Sequence, residues 1–281
     1  MSKQARILTR GRGVSTQDGD GVKLTRVMGT HQFRGLDPFL MLDEFGSSDP
    51  VDYQGGFPPH PHRGFQTVTY MLQGRMEHTD HLGNVGLLKD GGLQWMNAGR
   101  GIIHSEMPKQ TEGVMWGFQL WVNLPSAQKM SPAWYKDIPV ENIPVLTQTG
   151  VTVKVLAGQH QNTNGAIFEE GCPTYLDIEF MDDSVYEFDI QPQANSLLYV
   201  FVGDVNIDNT QVSRGDIVSV GEGDVLCLTA SKGARCIYIS GQPIGEPVVQ
   251  YGPFVMNTAA EIDQAIRDYQ AGTLAEVAEA K

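Results

Sequence analysis

The chain has 281 residues, 41% apolar and 19% charged, the composition of a globular protein with a substantial core, which excludes disordered and fibrous classes. Its 33 acidic residues against 20 basic ones give a formal charge of −13, and such a surface repels phosphate backbones, so no direct nucleic-acid binding is expected. No window approaches the roughly 20 apolar residues of a membrane-spanning helix, and the opening MSKQARILTRGRG lacks the apolar run of a secretory signal.

Glycine (32 residues) and proline (15) are spread along the chain between short apolar runs, a pattern of many short strands joined by turns. In chain order the strand-like runs are TVTYML (67–72), GGLQWMNA (91–98), GVMWGFQLWVNL (113–124), VTVKVLAG (151–158), TYLDIEF (174–180), SLLYVFVG (196–203), DIVSVG (216–221), VLCLTA (225–230) and CIYIS (236–240). Each is rich in β-branched and aromatic residues and bounded by turn formers, which predicts an all-β protein of antiparallel barrels or sandwiches. One helix is predicted near the C-terminus. Thr258 caps it, Glu261 completes a capping box, Ile262, Ala265, Ile266 and Tyr269 recur at helical spacing, and Gly272 ends it. Cys172, Cys227 and Cys236 match no zinc pattern, and read as reduced thiols in a cytoplasmic protein.

The chain repeats itself. TYMLQG (69–74) is matched by LYVFVG (198–203), 129 residues later, and DGGLQWM (90–96) by RGDIVSV (214–220), 124 residues later. Two similar halves predict duplicated barrels, an N-terminal one over 1–130 and a C-terminal one over 131–281 that carries the helix. The segment 125–150, rich in proline and polar residues, reads as the connector.

Within PPHPHRGFQT (58–67), His60 and His62 stand at i, i+2, so in a strand both imidazoles project from one face. Pro61 between them has no N–H for a ladder bond, which suits a strand edge. His104 and Glu106, after the glycine turn AGRG (98–101), form a second pair of the same kind. On facing strands the two pairs would bring three imidazole nitrogens and one carboxylate to one point inside a barrel. That donor set suits a divalent transition metal with positions left open. Mixed His and carboxylate ligation favours Fe(II) oxygen chemistry over structural zinc, while nickel, copper and zinc fit the spacing as well. By the repeat, the corresponding positions in the second half are near Asp189, Gln191, Leu228 and Ala230, so one metal is expected, in the N-terminal barrel. His78 and His81 read as hairpin polarity, His31 and His160 carry no assigned role, and Asp37, Asp43 and Glu44 read as an anchoring segment.

The blocks FPPHPHRGFQTVTYMLQG, LQWMNAGRGIIHSEMP, LDPFLMLDEF and YGPFVMNT resemble the pirin family of the cupin superfamily, and the likeness runs from about residue 10 to 275. The resemblance implies a bicupin, two stacked jelly-roll barrels, with iron in the N-terminal one on His60, His62, His104 and Glu106. It further implies a quercetin 2,3-dioxygenase that cleaves a flavonol with O2 and releases carbon monoxide. The alternative it implies is an iron-responsive module that binds a protein partner, a transcription factor or a metabolic enzyme. Gln66 departs from the family pattern, which carries Glu there. Glu106 is the candidate catalytic residue, as a ligand that could also accept the substrate's hydroxyl proton. Phe57, Trp95 and Met96 are candidates for the wall of an aromatic pocket, and a monomer is expected.

Overall fold

The computed structural model describes residues 2–169 and 171–275. Every run read as a strand is one: Phe65–Gln73, Leu93–Asn97, Met115–Asn123, Val151–Ala157, Thr174–Phe180, Asn195–Val202, Asp216–Gly221, Val225–Ala230 and Arg235–Gly241. Period-2 patterning decides their faces. In Ser184–Asp189, Tyr186 and Phe188 are buried while Val185, Glu187 and Asp189 are exposed.

The chain forms two compact units, one made of Ser15–Arg26, Phe39–Val140 and the chain from Ile244 onward, the other of the chain up to Val14, Val27–Pro38 and Glu141–Pro243. In the first, a seven-stranded sheet runs in the order Trp134–Ile138, Leu93–Asn97, Phe65–Gln73, Met115–Asn123, Phe39–Ser47, Val22–Met28, Val14–Asp18. A four-stranded sheet of the same unit runs Phe57–His62, Ile102–Pro108, Met76–Asp80, Val85–Leu88. The second unit repeats both orders. Its seven strands run Arg6–Arg12, Asp216–Gly221, Asn195–Val202, Arg235–Gly241, Thr174–Phe180, Val151–Ala157, Val145–Gln148, and its four run Ser184–Asp189, Val225–Ala230, Asp204–Ile207, Thr210–Ser213. The internal repeat is thus a repeat of strand pairing, the jelly-roll arrangement twice over.

A single cut at 130/131, with the helix in the second domain, does not describe these units. The change falls at Val140/Glu141, because Trp134–Ile138 pairs with Leu93–Asn97 and belongs to the first unit's sheet. The chain ends also trade places. Arg6–Arg12 pairs with Asp216–Gly221 in the second unit, and the helix Ala259–Gln270 belongs to the first. An open sheet edge takes whatever strand closes it, and local sequence pattern does not say which one that is. Met1 and residues 276–281, which those domain ranges included, lie outside the described residues.

The helix begins as the sequence implies. Thr258 Oγ1 accepts from the Glu261 N–H at 3.3 Å and Glu261 Oε2 accepts from the Thr258 N–H at 2.8 Å. Ile262 and Ala265 bury against Phe254, Met256 and Leu274, and Gly272 follows at φ +75°.

Candidate metal centre

Strands Phe57–His62 and Ile102–Pro108 pair antiparallel, with His60 opposite His104 and His62 opposite Ile102. The ring centroids of His60, His62 and His104 lie 4.4–4.9 Å apart, and one ring nitrogen of each falls within 4.8 Å of the others. His62 and His104 are buried and His60 is half-buried. Gly101 lets the chain enter the His104 strand: at φ +155°, any Cβ there would lie 2.2 Å from the Leu274 carbonyl oxygen.

Burial pushes both His62 and His104 well below the ordinary imidazole pKa, and the neighbouring imidazoles push in the same direction. At neutral pH these rings are therefore uncharged and keep a lone pair each. His60 Nδ1 donates to the Pro58 carbonyl at 2.8 Å, which makes Nε2 the ring nitrogen left for a metal. His62 Nδ1 and His104 Nε2 are buried with no hydrogen-bond partner. Two orphaned nitrogens in one pocket are costly in an ordinary core, on the order of 1–3 kcal/mol each. Three imidazoles gathered within ligand reach, two of them uncharged with an orphaned nitrogen each, are a donor set that a divalent transition metal fits. Among the described residues this is the group of His, Cys, Asp or Glu side chains that could hold a metal.

Glu106 is not in that group. It is buried, its Oε1 accepts from Thr69 Oγ1 at 3.0 Å and its Oε2 from Gln119 Nε2 at 2.8 Å. The strand register also slips between His104 and Glu106, so Glu106 faces Phe57 on one neighbour and His78 on the other. The sequence pairs HxH and HxE therefore yield three gathered imidazoles and one carboxylate held by its own two donors.

Several residues around the site were not singled out by their sequence context. His78 does lie in a hairpin, on Met76–Asp80 paired with Val85–Leu88, but it is no surface polarity: it is buried, with its Nδ1 3.2 Å from His104 Nδ1. The signal was present in the alternation Met76, His78, Asp80, all buried, with Glu77 and Thr79 between. Gln119 and Trp121 share one face of Met115–Asn123, and the Trp121 ring packs edge-on to His62 at 5.4 Å. Arg26 grips both oxygens of Asp43 at 3.0 and 2.9 Å and reaches Asp18 Oδ2 at 2.9 Å. Burial raises the Asp43 carboxyl against the pull of Arg26. Gln66 Oε1 accepts from the indole of Trp95 at 3.2 Å, so here an amide oxygen supplies the acceptor and omits the charge a Glu would bring. Trp95 and Met96 are core residues, the former with its indole satisfied by Gln66 and the latter packed on Ala98 and Ile102. His160 is buried in the second unit, 2.5 Å from Tyr186 Oη, and Leu228 and Ala230 sit in that unit's apolar core.

A cavity of about 600 Å3 opens onto His60 and His62. Its wall is apolar at Met41, Phe45, Phe57 and Trp121, with Asp43 and Gln119 among its polar groups. Its size and its mix of apolar wall and few polar groups suit a small organic ligand.

A duplicated barrel with His60, His62 and His104 gathered in one pocket is a bicupin with, among the described residues, one candidate metal centre. The Pirin family pattern matches residues 21–122, and that of the Pirin C-terminal cupin domain matches 175–275. The chain belongs to the pirin family. It is 46% identical over 98% of its length to the full length of a Pseudomonas aeruginosa protein named "Putative quercetin 2,3-dioxygenase". It is 42% identical to mouse Pirin, over 90% of this chain and 88% of that one. The crystal structure of quercetin 2,3-dioxygenase from Acinetobacter baumannii superposes with a TM-score of 0.90 at 32% identity, covering 97% of this chain and 99% of the other. No described helix is long and apolar enough to cross a membrane.

Proposed function

We propose that this pirin is a metal-dependent dioxygenase that cleaves quercetin-type flavonols with O2 and releases carbon monoxide, with iron on His60, His62 and His104 and Glu106 as the fourth ligand. The observation that carries the reading is the cluster of three imidazoles, with ligand nitrogens within 4.8 Å, bordering an aromatic-walled cavity of about 600 Å3. The relatives named for quercetin cleavage support the substrate class. A bound Fe(II) would supply a Lewis acid that makes a flavonol hydroxyl more acidic and a redox centre able to engage O2.

The chain's own residues do the rest. Phe57, Phe45 and Trp121 present flat apolar surface to a planar ring system and exclude water from it. Glu106 is aimed by Thr69 and Gln119, and its Oε2 is the atom proposed to take the hydroxyl proton. Each Glu106 oxygen accepts one of these hydrogen bonds and keeps a second lone pair, which is the donor proposed for the metal.

The test is anaerobic loading of the metal-free protein with Fe(II), addition of quercetin and oxygen, and measurement of flavonol absorbance and headspace carbon monoxide. The parent is expected to turn over, and His60→Ala and Glu106→Ala are each expected to lose activity at least a hundredfold. A parent that binds Fe(II) and leaves quercetin intact overturns the dioxygenase reading and favours the iron-responsive interaction module. Turnover unchanged in both variants overturns the ligand assignment.

A further inference from the structure

We infer that His78 is a positioning residue for the metal centre: it accepts the Nδ1 proton of His104 and so holds His104 in the tautomer whose Nε2 can ligate. The inference rests on the proposed metal site, though not on the reaction proposed there. The two Nδ1 atoms are 3.2 Å apart, both residues are buried, and their rings are 4.9 Å apart centre to centre. A hydrogen bond between two ring nitrogens needs one that carries a proton and one that is bare.

Only two arrangements satisfy that need. If His78 donates, His104 Nδ1 is bare, so the neutral His104 ring carries its proton on Nε2. That proton would point into the imidazole cluster, and no metal could bind there; since either arrangement leaves one buried Nε2–H without an acceptor, on His104 or on His78, it is the metal site that decides between them. If His104 donates, its Nε2 is bare, and the orphaned nitrogen becomes the third lone pair of the cluster. An isolated histidine side chain favours the Nε2–H form, so a partner at Nδ1 is what reverses the preference.

Packing alone does not account for His78. Its Nε2 is buried without a partner, and its ring lies against Tyr135 with centroids 4.6 Å apart, a place a phenylalanine would fill with no polar atom left over. The residue also cannot swing away easily. It sits mid-strand, paired with Glu106 across Ile102–Pro108 and with Gly86 on its other side.

The experiment reads the tautomer directly. Long-range 1H–15N correlation spectra of the 15N-labelled, metal-free parent should show His104 protonated at Nδ1, its signals assigned by their loss in His104→Asn. His78→Phe should move that proton to Nε2 and weaken Co(II) and Zn(II) binding about 10–100-fold in chelator competition. His78→Asn offers an oxygen acceptor near the same place and should keep the parent's tautomer and most of its affinity. An Nε2-protonated His104 in the parent overturns the inference, as does a phenylalanine variant with the parent's tautomer and affinity. The parent measurement needs no substitution, so it decides the matter even where a variant does not fold. Absence of quercetin turnover bears on the proposed reaction and leaves these readouts standing.

Discussion

At the scale of single residues, Gln119 ties the cavity wall to the site. Its Nε2 donates to Glu106 Oε2 at 2.8 Å, and its Oε1 lies 3.5 Å from the Trp121 indole nitrogen, which fixes the amide's orientation between a carboxylate and a donor. Gln119→Leu removes the donor and leaves a buried carboxylate oxygen with nothing to bond, a loss of about 2 kcal/mol in the metal-free protein. A metal on Glu106 would take up that orphaned oxygen. The rise in melting temperature on adding Co(II) is therefore expected to be larger in Gln119→Leu than in the parent, measured by differential scanning calorimetry with and without metal. An equal rise in both would separate Glu106 from the metal. These contacts also mark what could be read in the one-dimensional pattern. His60, His62 and His104 were legible because i, i+2 spacing fixes a common face within a strand. Thr69, His78 and Gln119 were not: His78 meets the site across the pairing of Met76–Asp80 with Ile102–Pro108, and Thr69 and Gln119 reach Glu106 from the other sheet, contacts set by tertiary packing that no local spacing encodes.

At the scale of elements, the C-terminal segment is fastened to the turn that follows His62. Val255 N–H donates to the Arg63 carbonyl at 3.0 Å, Arg63 Nη1 donates to Asp268 Oδ2 at 2.6 Å, and Arg63 Nη2 donates to the Leu274 carbonyl at 3.2 Å. Lys129 completes the fastening. Its buried Nζ donates to Gly64 O and Asn123 Oδ1, each at 2.7 Å, and to Val255 O at 3.0 Å. Burial lowers its pKa to about 8 against the opposing pull of Glu246 and Glu261, and three acceptors for three N–H bonds favour the ammonium at neutral pH. Lys129→Met keeps the stem and removes the three donors, so urea unfolding is expected to show a loss of about 3 kcal/mol. A loss under about 0.5 kcal/mol would mean that the segment is held by its apolar contacts alone. The helix itself was legible down to its capping box, since a cap and a 3.6-residue stripe are local. Its membership of the first unit was not legible, because Phe254, Arg63 and Lys129 are brought together by pairings far apart in the chain.

At the scale of the whole molecule, two pH effects of opposite sign compete. The formal charge of −13 repels itself at neutral pH, and acid relaxes that repulsion, which alone would stabilise the fold as pH falls. The buried histidines act the other way. His62 and His104 are held well below 6.5 by burial, and His160, against Tyr186 in the second unit, is held at about 4 by the same cause. A histidine whose folded pKa lies below its unfolded value stays bare in the fold while the unfolded chain takes up a proton. The stability it contributes is therefore present above pH 6.5 and lost as pH falls towards the folded value. Each such group can cost up to about 1.4 kcal/mol per pH unit, so from pH 6.5 to 5.5 the three together remove at most about 4 kcal/mol. That exceeds what relaxation of dispersed surface charge returns over one pH unit in physiological salt, where repulsion beyond about 8 Å is screened. The metal-free protein is accordingly expected to lose melting temperature steadily from pH 7 to pH 5 at 0.15 M salt. A metal bound to His62 and His104 competes with the very protons that destabilise them, so the loaded protein should hold its melting temperature further into acid and then drop as metal leaves. Parallel thermal scans of chelator-treated and Co(II)-loaded protein across that range check both parts. A flat profile for the metal-free protein would show that His62, His104 and His160 take up protons in the fold as readily as in the unfolded chain.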